Sequence, residues 1–211
     1  MLNIAVLVSG GGTNLQALIN AQTGGTIKDG KIALVVSSNA KAYALERAAK
    51  ANIPSEVLNR RSFASQRDYD EALLSLLGRY RIGLVVLAGF LTIISKNVVS
   101  HFPNQIMNVH PSLIPSFCGE GHYGLRVHEE ALKRGVKVTG ATVHFVNEIC
   151  DGGPIILQKA VEVLPGDTPQ TLQKRVMEQA EWELLPRAVS LFCENRLVVK
   201  DGCVKIKEAE S

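Results

Sequence analysis

Three side chains able to do proton or hydrogen-bond chemistry stand where regular structure should end. Asn108 and His110 lie in "NQIMNVHPSLIP", where Ile106, Met107 and Val109 form an apolar run and Pro111 stops it. In an extended chain every second residue shares a face, so the amide and the imidazole project together from a strand's carboxyl end. An amide N–H₂ and an imidazolium are two donors suited to a developing oxyanion, and an imidazole moves protons near neutral pH. Asp151, in "NEICDGGPI", is a carboxylate in a glycine-rich turn between two strand-like runs. Beside His110 it would keep the imidazole charged. It could also take the proton of an attacking amine, directly or through water. Together the three suit acyl transfer to an amine with no covalent enzyme intermediate. Each also has a plainer reading: a strand-end histidine hydrogen-bonded into the sheet, and an aspartate that only forms the turn. His144, in "TVHFV", either faces the same cleft or is satisfied within the sheet.

A second chemical feature is "SGGGTN" (Ser9–Asn14), which follows an apolar run and precedes helically spaced Leu15, Leu18 and Ile19. A strand-to-helix loop offers free backbone N–H groups and a positive helix end to an anion, and glycine lets the backbone approach it closely. Thr13 or Asn14 can cap the helix. A dinucleotide fingerprint fails, because Leu15 stands where the third glycine belongs and the second strand ends in "SSNA" without an acid. A phosphate loop of the Gly-Lys-Ser/Thr kind also fails. A single phosphate remains, against a tight turn that binds nothing. No G-x-S-x-G occurs for a serine hydrolase. Cys118 and His122 lack a second ligand pair at zinc-like spacing, so no metal is expected.

The elements that must position these residues alternate. Buried-strand runs at Asn3–Ser9, "KIALVVSS" and "IGLVVLAG" are separated by helical patterns, including Ser65–Tyr80 with Tyr69, Ala72, Leu73, Leu76 and Leu77 on one face. A short strand, "IPSEVL", stands between, and Ile106–His110 follows a brief connector. Such alternation predicts βαβ units and a parallel sheet. "GATVHFV" and "GPIILQKAVEV" read as an added antiparallel pair. Thr168 to about Asn195 reads as a long helix, kinked or split at Pro186, and "RLVVKDGCVKI" as a hairpin about Asp201-Gly202. The fold class is therefore α/β: an open, Rossmann-like, mostly parallel twisted sheet with helices on both faces and an antiparallel C-terminal part. One domain spanning 1–211 is expected, since no linker or repeat appears.

Bulk composition agrees with a globular chain: 211 residues, 46% hydrophobic, 20% charged and a net charge of +3. Lys and Arg are scattered, which argues against a nucleic-acid partner. No apolar run approaches the ~20 residues that span a bilayer, and the chain opens on a strand without a leader pattern. A cytoplasmic protein with Cys118, Cys150, Cys193 and Cys203 reduced is the expectation.

Four blocks, "NIAVLVSGGGTNLQALI", "VVLAGFLTIIS", "NVHPSLIPSF" and "GATVHFVNEICDGGPIILQ", carry a resemblance to the glycinamide ribonucleotide transformylases. It extends from Asn3 to Pro186. The resemblance implies transfer of the formyl group of 10-formyltetrahydrofolate, as co-substrate, to the amine of 5-phosphoribosylglycinamide in purine synthesis, without a metal. It implies catalytic roles for Asn108, His110 and Asp151, with His110 the proton donor and Asp151 tuning it. It places the phosphoribosyl substrate on Gly12, Thr13, Asn14 and Glu181. It places the folate on Arg67, on Leu91, Thr92, Ile93 and Ile94, and beside Asn108. A homodimer is compatible with it.

Three positions depart from the family pattern. Thr92 stands where arginine is common. "FCGEGHYGLRVH", read as a loop over Phe117–His128, is longer and richer in glycine, with the character of a lid. Glu181-Trp182 replaces a Glu-His pair and carries one additional residue upstream. Two rival functions remain. Formyltetrahydrofolate deformylase uses water as the acceptor, but that family usually has an extra N-terminal domain and a second histidine where Pro111 stands. A non-catalytic phosphoribosyl-ligand sensor would have no need of a proton donor.

Overall fold

The computed structural model describes residues 1–208. Seven strands form one sheet: β1 (Leu2–Val8), β2 (Gly30–Ser37), β3 (Ser55–Val57), β4 (Ile82–Leu87), β5 (Ile106–His110), β6 (Val138–Phe145) and β7 (Ile155–Glu162). Their spatial order is β3-β2-β1-β4-β5-β6-β7. β1 to β5 are mutually parallel; β6 runs antiparallel to β5, and β7 to β6. The near-continuous apolar strands follow from burial on both faces. In β1, Ile4, Val6 and Val8 enter one core, while Ala5 and Leu7 enter the other.

The helices are α1 (Thr13–Thr23), α2 (Tyr43–Lys50), α3 (Gln66–Arg79), α4 (Lys96–His101), α5 (Leu125–Arg134), α6 (Pro169–Val176) and α7 (Trp182–Cys193). Leu15, Ala44, Leu172 and Leu185 bring α1, α2, α6 and α7 onto the first core. Tyr69, Leu73, Leu77 and Val98 bring α3 and α4 onto the second. α3 begins at a capping box in which Ser65 and Asp68 satisfy each other's backbone N–H. The C-terminal hairpin, β8 (Leu197–Lys200) and β9 (Cys203–Ile206), turns at Asp201 and Gly202 with φ of 52° and 74°. Both central residues are left-handed, as an Asp-Gly turn requires.

Three features depart from the sequence reading. α4 occupies part of what reads as a connector; its six residues bury only Val98, too little for a periodic signal. α5 begins directly after Gly124, so the loop expected over Phe117–His128 ends earlier. Glycines hide this helix start, although Val127, His128 and Ala131 turn inward at helical spacing. The long C-terminal helix does not break at Pro186, which lies buried inside α7. It departs from α geometry at Met177–Glu181, a π-helical turn. A π turn is wider than an α turn and holds one more residue. Cys193 is buried, whereas Cys150 and Cys203 are exposed; all four thiols are free.

The chain leaves β1 toward β2 and β3, then returns across β1 to β4. The carboxyl ends of β1 and β4 therefore flank a topological switch point, where open α/β sheets form a crevice. The glycine loop and Leu91–Ile94 lie on this edge, and β5 delivers Asn108 and His110 beside them.

Candidate active site

Gly12 occupies the N-cap of α1 with φ 70°. A Cβ there would lie 2.7 Å from Ala44 Cβ, so conformation and space both require glycine. No side chain caps α1, contrary to the capping role expected of Thr13 or Asn14. Asn14 turns inward instead, and its Nδ2 donates to Glu181 Oε2 at 2.7 Å. Thr13 Oγ1 contacts Met177 Sδ at 3.8 Å. The first amides of α1 thus stay free of side-chain caps. Glu181 is buried, and burial raises its carboxyl above the ordinary range, opposed only partly by Asn14. Asn14 Oδ1 is buried without a partner. This pair is a ready acceptor for hydroxyl groups. The π turn ends at Glu181 and holds it against α1, across 167 residues of sequence.

The other cluster lies around Asp151. Its Oδ2 is 3.5 Å from His110 Nδ1 and accepts from Gly119 N–H at 2.9 Å. Its Oδ1 accepts from Asn108 Nδ2 at 3.4 Å and lies 3.5 Å from His144 Nε2. Asn108 and His144 face each other across the β5–β6 ladder, with Nδ2 and Nε2 3.2 Å apart. His144 Nδ1 donates to the Phe145 carbonyl at 2.7 Å, which directs Nε2 into the cluster. His144 therefore meets both descriptions left open by the sequence: it is fixed within the sheet, and it faces the cleft.

Burial pulls the His110 imidazole below its ordinary value, and Asp151 opposes this only in part. Asp151 favours the charged imidazole, as expected, but desolvation of a buried cation outweighs one carboxylate at 3.5 Å. Asp151 itself would be raised by burial. Its hydrogen bond with His144, the charge of His110 and the Gly119 amide outweigh that, and the carboxyl sits below the usual range.

The segment before α5 supplies contacts that no sequence motif announces. Phe117 has φ 51°, and its carbonyl accepts from His110 Nε2 at 2.8 Å. Two residues on, the Gly119 amide holds Asp151. This stretch clasps both catalytic candidates at once. Only "HPSLIPSF" ending in a glycine-rich run hints at a chain doubling back over His110.

The expected folate-facing residues are spread more widely. Leu91 and Ile93 are 65% and 76% exposed, an apolar surface at the crevice mouth. Leu91 N–H donates to Ser9 Oγ at 2.9 Å, tying this stretch to the glycine loop. Thr92 is half-buried and Ile94 packs onto the second core. Arg67 does not reach the cluster: its side chain is exposed and pairs with Glu71 at 2.8 Å. α3 is joined to this region one turn further on, where Ser95 Oγ donates to Asp70 Oδ2 at 2.6 Å. His122 pairs with Glu130 at 2.8 Å. Among the described residues no group of three His, Cys, Asp or Glu side chains could hold a metal, and no helix is long and apolar enough to cross a membrane. A cavity of about 670 Å³ runs outward from Thr13 between α1, Arg47 and the start of α7.

The sequence matches the formyl transferase family over residues 2–189. It is 41% identical to phosphoribosylglycinamide formyltransferase of Haemophilus influenzae over 96% of this chain and 92% of that one. The chain belongs to the phosphoribosylglycinamide formyltransferase family. Among solved structures, glycinamide ribonucleotide transformylase 1 from Symbiobacterium toebii superposes with a TM-score of 0.92 and 43% identity, covering 99% of this chain and 95% of that one. A formyltetrahydrofolate deformylase from Pseudomonas syringae gives a TM-score of 0.86 at 25% identity, with 98% of this chain matched to 66% of that one. The shared fold thus spans both reaction types, and identities of 41% and 43% to the formyltransferases against 25% to the deformylase favour the former.

Proposed function

We propose that this chain transfers the formyl group of 10-formyltetrahydrofolate to the amine of 5-phosphoribosylglycinamide, giving formylglycinamide ribonucleotide and tetrahydrofolate for purine biosynthesis. The observation that carries the reading is the joining of Asn108, His110, His144 and Asp151 within 3.5 Å contacts at the sheet edge that also holds the glycine loop. The phosphate docks on the amides of Gly12, Thr13 and Asn14, and the ribose hydroxyls donate to Glu181 and to the unpartnered Asn14 Oδ1. The folate lies along Leu91, Thr92, Ile93 and Ile94, with Arg67 released from Glu71 to meet its acidic end. Holding the amine against the formyl carbon converts a bimolecular encounter into a positioned one.

The amine attacks the formyl carbon. The oxygen that becomes negative accepts hydrogen bonds from Asn108 and His110. The Phe117 carbonyl shows that His110 Nε2 presents an N–H to an acceptor, and the formyl oxygen is the acceptor in the reaction. Growing negative charge there reverses the imidazole's preference for its neutral form. Asp151 receives the proton lost by the amine and passes it, through water, to the departing folate nitrogen as collapse expels tetrahydrofolate. His144 holds Asn108 and Asp151 in register. The chain acts as one formyltransferase unit on small molecules in the cytoplasm, needs no metal or nucleic acid, and is compatible with a homodimer.

The test is a paired assay on purified protein with 10-formyltetrahydrofolate, following tetrahydrofolate release with and without 5-phosphoribosylglycinamide. Release that requires the amine is expected. Equal release without it would make the enzyme a hydrolase that activates water at Asp151.

A further inference from the structure

The glycine loop has a resident cation. Arg47, on α2, donates from Nε to the Gly11 carbonyl at 2.8 Å and from Nη1 to Gln16 Oε1 at 3.0 Å. Its guanidinium carbon lies 5.0 Å from the centre of the Tyr43 ring. Arg47 forms no ion pair among the described residues. It is therefore a full positive charge, held on three sides, beside the loop read as the phosphate site.

Charge balance gives this a purpose. A phosphate monoester carries close to two negative charges near pH 7. A helix N-terminus supplies the equivalent of about half a positive charge. The amides alone leave most of the ligand's charge uncompensated. Among the residues lining the cavity that opens at Thr13, the cations are Arg47 and Arg187, and the Arg47 side chain itself touches the loop. By pinning the Gly11 carbonyl, Arg47 also keeps that oxygen occupied, so the neighbouring amides meet the anion without a competing acceptor. A guanidinium already fixed in place loses little freedom on binding an oxyanion.

We infer that Arg47 is the positioning cation for the substrate's phosphate, with its Nη2 edge turned to the ligand. The inference rests on the reading of Gly12–Asn14 as the phosphate site. The experiment compares Arg47→Met and Arg47→Lys with the wild type, using 5-phosphoribosylglycinamide and its dephosphorylated riboside. Loss of a charge-assisted hydrogen bond should lower kcat/KM for the phosphorylated substrate about tenfold to a hundredfold in Arg47→Met. The riboside should be handled equally by both proteins, KM for the folate should not change, and Arg47→Lys should restore part of the loss. Equal losses with both substrates would make Arg47 a brace for the loop and overturn the inference, as would no loss at all. Calorimetric binding of 5-phosphoribosylglycinamide reads the same contrast without turnover. A wild type that binds the substrate but forms no product would overturn the proposed reaction and leave Arg47 to be judged by binding alone. Weaker binding in Arg47→Met would then support its role, and unchanged binding would remove it.

Discussion

Replacing Asp151 by asparagine keeps the shape of the side chain and removes its charge. The structure sets the size of the effect. His110 Nδ1 and Asp151 Oδ2 are 3.5 Å apart, with side chains only 5% and 9% exposed. Two unit charges at that separation attract by about 1 kcal/mol in bulk water and about 5 kcal/mol at an effective dielectric of 20. Losing that attraction lowers the His110 pKa further. Burial already places that imidazole below its ordinary value. The fraction able to donate at pH 7 should drop by about tenfold to a thousandfold, and kcat with it. The part of the deficit that comes from His110 protonation should shrink as pH is lowered toward 5, while the part that comes from losing the acceptor of the amine proton should remain. The assay is kcat against pH at saturating substrates, with near-ultraviolet circular dichroism to show an intact fold. A kcat within threefold of wild type at pH 7 would refute the reasoning. So would a deficit that stays wholly constant with pH, since Asp151 would then act only as the acceptor of the amine proton and not on the charge of His110.

Glu181→Gln should raise KM for 5-phosphoribosylglycinamide about tenfold while leaving the melting temperature unchanged or higher, because the buried carboxylate no longer has to be desolvated; a lower melting temperature with normal KM would contradict this. Gly12→Ala must adopt a left-handed backbone against Ala44, at a cost of at least about 1–2 kcal/mol, and denaturant melts together with substrate binding should show both losses. His128 is fully buried with neither ring nitrogen partnered, and burial lowers its pKa to about 4. Below pH 6.5 the unfolded chain takes up a proton that the native state refuses until about pH 4. Native stability should therefore fall by roughly 3 kcal/mol across that window from this group alone. His128→Leu should flatten the decline in melting temperature between pH 7.5 and 5; parallel declines in both proteins would show that His128 does not set it.

The local pattern of the chain determined a good deal by itself. Period-two and helical spacing marked the strands, α3 and the terminal hairpin, because burial on one or both faces leaves a direct record in side-chain type. The same period placed Asn108 and His110 on one face, and the strand–glycine–helix order put a loop with uncapped helix amides at the first turn. Other features depended on residues far apart in sequence. Asp151 meets His110, and Glu181 meets Asn14, only because the sheet order and the packing of α7 on α1 bring them together. His144 faces Asn108 through the antiparallel register of β5 and β6, which no local spacing encodes. The start of α5 was hidden by glycines, and the π turn by a helical pattern that tolerates one extra residue. The opposing force on His110 was missed for a related reason. A carboxylate near a histidine can be guessed from sequence, but the desolvation that opposes it is a property of the packed interior.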